Sequence, residues 1–243
     1  MSFNHKQFKL PISEVIPKVK TTLCERNTLI IKAPTGAGKS TLLPITLLDE
    51  KWLERKKIIM LEPRRLAAKT VAIRMANMLG EGIGETVGYR IRFEQKTSNK
   101  TRLEVVTDGI LTRLIHEDNS LEEIGLIIFD EFHERSIHAD LAMALSKEIQ
   151  GVLRQDLRIL IMSATINMPE LAKRLNAAEV ESKGRMFPVE VNYEGDFDLE
   201  ILSDMLNQVV KKAVKNKDGD VLVFLPGQGE IQKCEVVLRR TLP

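Results

Sequence analysis

Residues 33–41 read Ala-Pro-Thr-Gly-Ala-Gly-Lys-Ser-Thr and follow the apolar run Leu29-Ile30-Ile31 after one residue, Lys32. Except for Ala33 in place of the first glycine, the stretch fits the phosphate-binding pattern G-x-x-x-x-G-K-[ST]. The apolar run predicts a strand and residues 42–48 predict a helix, which is the setting that this pattern requires. An ordinary glycine-rich turn is the alternative, and so complete a match in this setting disfavours it. The stretch therefore predicts a loop that binds a nucleoside triphosphate.

The residues of this loop have distinct expected tasks. Gly36 and Gly38 would let backbone N–H groups turn towards phosphate oxygens, helped by the positive end of the following helix. Lys39 would reach the terminal phosphates, and the Ser40 hydroxyl would bind Mg²⁺. The predicted phosphate-binding set is Thr35, Gly36, Ala37, Gly38, Lys39, Ser40 and Thr41.

Short apolar runs and helix-like stretches alternate along the chain. Runs rich in Ile, Val and Leu predict further strands buried on both faces at residues 58–61, 103–106, 126–129, 159–162 and 221–224. Residues 65–79, 139–153 and 199–215 have helical spacing. This alternation predicts an α/β fold with a mostly parallel sheet flanked by helices, and ligands bind such sheets beyond the carboxyl ends of the strands.

The pattern changes near residues 187–189. We expect a first domain over residues 1–187, and a linker with the incomplete start of a second domain over residues 188–243. The second part has one clear strand in some fifty residues, which is too little for a complete α/β domain.

Composition restricts the class of protein only broadly. The chain has 29% charged residues and a net charge of +2, which permits a nucleic-acid partner without indicating one. The chain has no apolar run long enough to predict a membrane span. Cys24 and Cys234 lie far apart and no signal segment precedes them, so we expect reduced thiols and a cytoplasmic protein.

Adjacent carboxylates follow the apolar run 126–129. In P-loop nucleoside triphosphatases a carboxylate in the position of Asp130 holds the Mg²⁺ shell, and one in the position of Glu131 orients or deprotonates the attacking water. A solvated acidic turn is the alternative. Residues 133–138 resemble the zinc motif H-E-x-x-H but carry one extra residue, and residues 80–84 follow a helix where a dinucleotide fingerprint would follow a strand, so we reject both sites.

Further motifs follow successive predicted strands. They are Glu-Pro-Arg-Arg-Leu-Ala-Ala at residues 62–68, Thr-Asp-Gly-Ile-Leu at 107–111 and Ser-Ala-Thr at 163–165. With Asp-Glu-Phe-His at 130–133, this set resembles the DEAH/RHA group of superfamily 2 RNA helicases, although Phe132 stands where the group usually has alanine. That variant, with Leu-Pro-Ile at 10–12, looks most like the bacterial HrpB-type subgroup. The resemblance covers residues 10–229.

The resemblance implies a RecA-like P-loop motor that binds ATP and Mg²⁺ between two such domains and moves along nucleic acid. The implied partner is single-stranded RNA bound without regard to sequence; DNA stays open, a monomer is expected and a membrane is not. Residues 184–185 and 187–189 resemble the link between the two domains. The family's later motifs, with the arginines that stabilise the transferring phosphate, are not in this chain, so we expect it to hydrolyse ATP slowly by itself.

The resemblance also implies roles for single residues. Glu131 and Lys39 would be catalytic together with His133, and Ser163 and Thr165 would couple hydrolysis to domain movement. A simple cap at the end of a strand is the rival interpretation of that last pair. Arg74 would stack on adenine, or be a solvated helix residue.

Nucleic-acid contacts are implied for two of these motifs, residues 62–68 and 107–111. The implied set is Arg64, Arg65, Thr107, Asp108 and Gly109, to which Arg90 and Arg92 are added from the similar stretch at residues 88–94. Guanidinium groups and backbone N–H groups suit phosphates, and phosphate contacts do not read sequence. For Arg64 and Arg65 a solvated helix start or an intramolecular carboxylate pair is the alternative, and for Arg90 and Arg92 it is surface solubility.

Two other functions stay open at this point. A P-loop phosphotransferase would need an acceptor pocket and a lid, and the order of the motifs disfavours it. A non-catalytic, nucleotide-gated nucleic-acid-binding module is the other alternative. Analysis of the products distinguishes a phosphotransferase from a hydrolase. Measurements of turnover or unwinding distinguish a non-catalytic binding module from a helicase motor.

Overall fold

The structure is a computed structural model that describes residue 4 and residues 7–165, 168–184, 188–193, 195, 202–216 and 219–242. The chain divides into two compact units, residues 1–186 and 187–243, and each is described by itself. Of the stretch that resembles a family linker, residues 185–187 lie outside the described residues.

The first unit alternates strands with helices, as the sequence predicts. Its strands are β1 (Thr28–Lys32), β2 (Lys57–Leu61), β3 (Val87–Ile91), β4 (Glu94–Lys96), β5 (Leu103–Val106), β6 (Ile124–Phe129), β7 (Arg158–Ser163) and β8 (Ala178–Glu181). Its helices are α1 (Ile16–Glu25), α2 (Leu42–Thr46), α3 (Arg65–Leu79), α4 (Asp108–Glu117), α5 (Ile137–Val152) and α6 (Met168–Leu175). The helix predicted at residues 65–79 has the bounds of α3, whereas the helix after the phosphate loop ends two residues early.

The strands form one eight-stranded sheet in the order β4-β3-β5-β2-β6-β7-β1-β8. All neighbours are parallel except β3 and β4, which are antiparallel. Parallel pairing requires crossovers that place helices over the sheet, so the inner strands are apolar on both sides. The predicted α/β class with a mostly parallel sheet is confirmed.

Alternate residues of the strands enter separate hydrophobic clusters on the two faces. Ile31 and Ile128 belong to one cluster, which includes residues of α1 and α3. Ile30 and Ile127 belong to the other, with residues of α4, α5 and α6. The result is a three-layer sandwich, because the period-two alternation of a strand sends successive side chains to opposite faces.

The parallel arrangement also gathers the predicted motifs. The phosphate loop follows β1, residues 62–68 follow β2, residues 107–111 follow β5, residues 130–133 follow β6, and residues 163–165 end and follow β7. All of these strands end at the same edge of the sheet, so motifs far apart in sequence become neighbours.

In its described residues the second unit has the helices α7 (Leu202–Asn216) and α8 (Gln228–Thr241), which pack on each other, and irregular segments before and between them. The strand predicted at residues 221–224 is wrong, because these residues have no regular structure. A strand needs a neighbour to accept its backbone hydrogen bonds, and the described part of this unit offers none. Across all the described residues of the chain, no helix is long and apolar enough to cross a membrane.

Candidate functional site: a phosphate loop beside an acidic turn

The phosphate loop depends on two glycines with positive φ. Gly36 has a φ of 78° and Gly38 a φ of 92°, a region that side-chain-bearing residues rarely adopt. A Cβ on Gly38 would lie 2.8 Å from Cδ1 of Leu10, whereas a Cβ on Gly36 would meet nothing within 4 Å. The Gly38 carbonyl accepts the Leu42 N–H at 2.9 Å, which joins the loop to the start of α2.

The lysine of the loop is buried and paired. Lys39 is 3% exposed, and its Nζ lies 2.5 Å from Oε1 of Glu131. The two residues meet because β1 and β6 lie on either side of β7 and end at the same edge. A buried ammonium group requires a partner of opposite charge, and here the partner is a carboxylate that the sequence predicts to be catalytic.

Asp130 has an unpartnered oxygen at the same edge. The residue is 2% exposed; its Oδ1 accepts the Glu131 N–H at 2.9 Å, and its Oδ2 has no hydrogen-bond partner among the residues that the structure describes. Burial raises the pKa of the Asp130 carboxyl to about 6, against the lowering effects of Lys39 and the Ser40 hydroxyl. A buried, unsatisfied carboxylate oxygen is costly, so this atom is suited to a cation.

A second buried carboxylate, Glu62, was outside the predicted site. It is 4% exposed, and burial, with the charge of Asp130 next in importance, raises its pKa to about 7. The residue directly follows β2, and Leu61 of β2 pairs with Phe129 of β6, which places Glu62 and Asp130 at adjacent strand ends. An acidic residue at the end of an apolar run is the signal that could have identified it.

His133 lies in the acidic turn, residues 130–135, and contacts Ser163 at the end of β7. His133 Nδ1 lies 3.3 Å from Oε2 of Glu131 and 3.3 Å from Oγ of Ser163. Ser163 is fully buried, and its Oγ also accepts the Thr165 N–H at 3.4 Å. Ser163 therefore makes both the contact to the acidic turn and the strand-end cap, while Thr165 is exposed and contributes its backbone.

Arg64 is held by the same acidic turn. Its Nη2 lies 2.6 Å and its Nε 3.3 Å from the two carboxylate oxygens of Glu134, although 71% of the Arg64 side chain is exposed. The intramolecular carboxylate pair that the sequence leaves open for Arg64 is present. Arg65, the first residue of α3, is exposed and has no side-chain partner among the described residues.

The start of α4 is tied to the start of α5. The Ser136 hydroxyl donates to Oδ2 of Asp108 at 2.5 Å and accepts the Ala139 N–H at 2.9 Å as the N-cap of α5. Oδ1 of Asp108 is buried and has no hydrogen-bond partner in the described part of the chain. Thr107 is the N-cap residue of α4 without a side-chain capping bond, and Gly109 is exposed.

The other predicted arginines lie in different environments. Arg90 donates from Nε to Oε1 of Glu104 at 2.7 Å, and Glu104 is 6% exposed, so nucleic acid would have to displace this partner. Arg92 lies over the exposed ring of Phe93, 4.8 Å from its centroid. Arg74 lies on α3, is exposed and has no side-chain partner in the described parts of the chain.

Comparison with known proteins agrees with this arrangement. The family model described as DEAD/DEAH box helicase matches residues 13–173. The chain is 47% identical over 227 residues to the ATP-dependent RNA helicase HrpB of Escherichia coli (strain K12), and 38% identical over 231 residues to the ATP-dependent RNA helicase HrpA of Borreliella burgdorferi. Each alignment covers 93% of this chain and 28% of the relative, so the chain spans about 28% of the length of these relatives.

The fold is also similar to that of solved helicase structures. The crystal structure of the Escherichia coli DEAH/RHA helicase HrpB superposes with a TM-score of 0.86 at 45% identity, covering 97% of this chain and 30% of that one. A second crystal structure, of the Escherichia coli DExH-box NTPase HrpB, gives a TM-score of 0.77 at the same identity and covers 29% of that chain. The chain uses a nucleotide-binding RecA-like fold and belongs to the DEAD/DEAH box helicase family.

Proposed function

We propose that this chain provides the ATP-binding motor domain of an ATP-dependent RNA helicase, and that residues 1–187 form that domain with the start of a second one after it. The observation that carries the proposal is the meeting of Lys39 with Asp130 and Glu131 at the carboxyl edge of the sheet. A lysine and two carboxylates that follow β1 and β6 at one edge of the sheet are what the hydrolysis of a nucleoside triphosphate requires.

The phosphate loop, residues 35–41, would bind the triphosphate. Its glycines present backbone N–H groups to the phosphates. The ion pair between Lys39 and Glu131 would break, and Lys39 would bind the terminal phosphates instead. Asp130 and Ser40 fit Mg²⁺, because the unpartnered Oδ2 and a hydroxyl at the same place are the hard oxygen ligands that this ion prefers. When bound, Mg²⁺ neutralises charge on the phosphates. We place Arg74 against the adenine ring.

Glu131 would act on the attacking water. Once phosphate oxygens occupy Lys39, the Glu131 carboxylate is free to accept a hydrogen bond and a proton from water. His133 lies between Glu131 and Ser163 and keeps one carboxylate oxygen oriented. Ser163 and Thr165 lie at the end of β7, between the strands that carry the nucleotide residues, which suits them to transmit movement.

Single-stranded RNA would cross the starts of α3 and α4. Arg64 and Arg65 offer guanidinium groups, and Thr107 and Gly109 offer backbone N–H groups at a helix start, where phosphate is favoured. Asp108 would position that helix start through Ser136. The similarity to bacterial ATP-dependent RNA helicases supports RNA as the partner. We further propose that the motor is monomeric and works in the cytoplasm.

Nucleotide binding with single-stranded RNA present and absent tests the proposal. The chain should bind a fluorescent ATP analogue only with Mg²⁺ and should bind a labelled oligoribonucleotide of any sequence, whereas its phosphate release should stay slow even when RNA is present. Because we expect slow hydrolysis by this chain, binding is the primary measurement. Lys39→Ala should abolish nucleotide binding, and absence of binding in the wild-type chain would refute the proposal.

A further inference from the structure

The acidic turn holds two cations to which the proposed function assigns phosphate binding. Lys39 is paired with Glu131, and Arg64 is paired in a two-pronged arrangement with Glu134. The Glu134 N–H donates to the Glu131 carbonyl at 2.9 Å, so the two carboxylates stand at opposite ends of a single 3-10 turn. The carboxylates that hold Lys39 and Arg64 are thereby three positions apart in the chain, with Phe132 and His133 between them.

The backbone of this turn is strained at both ends. Glu131 and Arg135 each have a φ of 47°, in the left-handed region that residues with side chains avoid. Between them, Phe132 is buried and packs edge-to-face on Phe129, with ring centroids 6.0 Å apart. Such strain persists only where surrounding contacts hold it. Here Glu131 is held by its ion pair with Lys39, Glu134 by its ion pair with Arg64, and Arg135 by a two-pronged ion pair with Asp140.

The outer pair is the one that a ligand can exchange. Because 71% of the Arg64 side chain and 30% of the Glu134 side chain are exposed, water weakens their attraction. A phosphate offers Arg64 the same two-pronged geometry with a charge at least as large. The neighbouring Arg65 has no carboxylate partner in the described residues, so it can make the first contact with a phosphate without giving up an ion pair.

We propose that Glu134 is a positioning residue that couples nucleic-acid binding to the nucleotide site; this inference rests on the proposed function. In the self-paired state Glu134 holds Arg64 and Glu131 holds Lys39. When a nucleic-acid phosphate takes Arg64, Glu134 is released while Arg135 stays bound to Asp140, so the turn relaxes about Glu131 and the Glu131 carboxylate moves away from Lys39. Lys39 then accepts the nucleotide phosphates more readily, so each ligand strengthens the binding of the other.

The experiment measures this coupling on the 243-residue chain. The dissociation constant of a fluorescent, non-hydrolysable ATP analogue with Mg²⁺ is determined with and without a saturating single-stranded oligoribonucleotide, and RNA binding is determined with and without the analogue. In the wild-type chain we expect each ligand to tighten the other by about fivefold or more. In Glu134→Gln the ratio should fall to near one, while RNA binding without nucleotide becomes several-fold tighter.

Two further variants make the result specific. Glu117→Gln removes the same charge from an exposed Arg–Glu pair on α4 and should keep the wild-type coupling ratio. In an Arg64→Gln background, Glu134→Gln should change RNA affinity no further, because the interaction it removes is already absent. Nucleotide binding by Glu134→Gln shows that the variant is folded.

The possible outcomes separate this inference from the proposed function. If the wild-type chain binds neither ligand, the proposed function fails and the inference fails with it. If both ligands bind but the wild-type ratio is one, or the ratio is the same in Glu134→Gln as in wild type, the coupling role of Glu134 is refuted and the motor assignment stands. If Glu117→Gln also lost the coupling, the change in net charge would explain the effect, and the coupling role of Glu134 would be refuted.

Discussion

Nζ of Lys39 lies 2.5 Å from Oε1 of Glu131, and only 3% of the Lys39 side chain is exposed. The cation that should receive phosphate is therefore neutralised by the carboxylate that should activate water. The pair protects a buried charge that would otherwise be unsatisfied. It also means that nucleotide binding has to break an existing ion pair, which links the occupancy of the loop to the freedom of Glu131.

The first prediction concerns Glu131→Gln. The amide cannot accept a proton from water, so ATP turnover should fall by about 10²–10⁴-fold relative to the wild-type chain. Nucleotide affinity should be kept or increased, because the substitution removes a negative charge that competes with phosphate for Lys39. Phosphate release and equilibrium binding measure the two effects. Glu170→Gln, which removes an exposed partner of Arg174, is the control and should change neither.

The second prediction compares alanine at the two loop glycines. Both substitutions force a residue with a Cβ to a positive φ, at a cost of about 1–2 kcal/mol each. Gly38→Ala also drives its Cβ to 2.8 Å from Leu10, so its free energy of unfolding and its nucleotide affinity should fall further than those of Gly36→Ala. Urea unfolding and nucleotide titration give the comparison. Equal losses in the two variants would contradict the packing argument.

The third prediction is a pH dependence that comes from Glu62. Burial raises its pKa from the usual 4.5 to about 7, so the folded chain holds this proton more tightly than the unfolded chain does. The resulting stabilisation is full below about pH 4.5 and is lost as the pH rises through 7. Its size is on the order of a few kcal/mol, since one pKa unit corresponds to about 1.4 kcal/mol.

Urea unfolding without metal or nucleotide at pH 5 and pH 8 measures this effect. The wild-type chain should lose stability over that interval, and Glu62→Gln, which is neutral at both values, should lose clearly less. A smaller decline should remain in the variant, because the pKa of Asp130 is also raised, to about 6. If the variant and the wild-type chain decline equally, Glu62 is already ionised at pH 5 and the prediction is wrong.

The sequence predicted the sheet well where burial dominates. β1, β2, β5, β6 and β7 are apolar runs because helices cover both of their faces, and nothing competes with that signal. β8 was missed because it is an edge strand with only Val180 fully buried. The strand predicted at residues 221–224 was wrong for the opposite reason: its composition is that of a strand, but pairing requires a neighbour.

The sequence predicted those parts of the candidate site that belong to continuous motifs. Local order along the chain indicates the phosphate loop and the pair Asp130–Glu131, because each directly follows its strand. The pairs Lys39–Glu131 and Arg64–Glu134 join residues 92 and 70 positions apart, and only the strand order brings them together. The role of Glu134 as the partner of Arg64 was not predicted, because no sequence feature indicates which residue a carboxylate in a turn will pair with.

The fourth prediction concerns Ser136, which caps α5 and satisfies Asp108. Ser136→Ala removes a helix cap and leaves both Asp108 oxygens without a side-chain donor, since Oδ1 already has none. The free energy of unfolding should fall by about 2 kcal/mol, the sum of a lost cap and an unsatisfied acceptor. Ser136→Thr keeps the hydroxyl and should restore most of it in urea unfolding. An alanine variant as stable as wild type would show that water replaces both bonds.

The last prediction separates two arginines that lie two residues apart. Arg90 pairs with the buried Glu104, so Arg90→Gln leaves a buried charge uncompensated and should lower the free energy of unfolding by about 2–3 kcal/mol. Arg92 is exposed and contacts only the exposed ring of Phe93 among the described residues, so Arg92→Gln should change stability by less than about 0.5 kcal/mol. If either residue binds RNA phosphates, Arg92→Gln should weaken RNA binding more than Arg90→Gln does once both are measured where each variant is fully folded. The reverse order would mean that RNA displaces Glu104 from Arg90, and would make Arg90 part of the nucleic-acid contact.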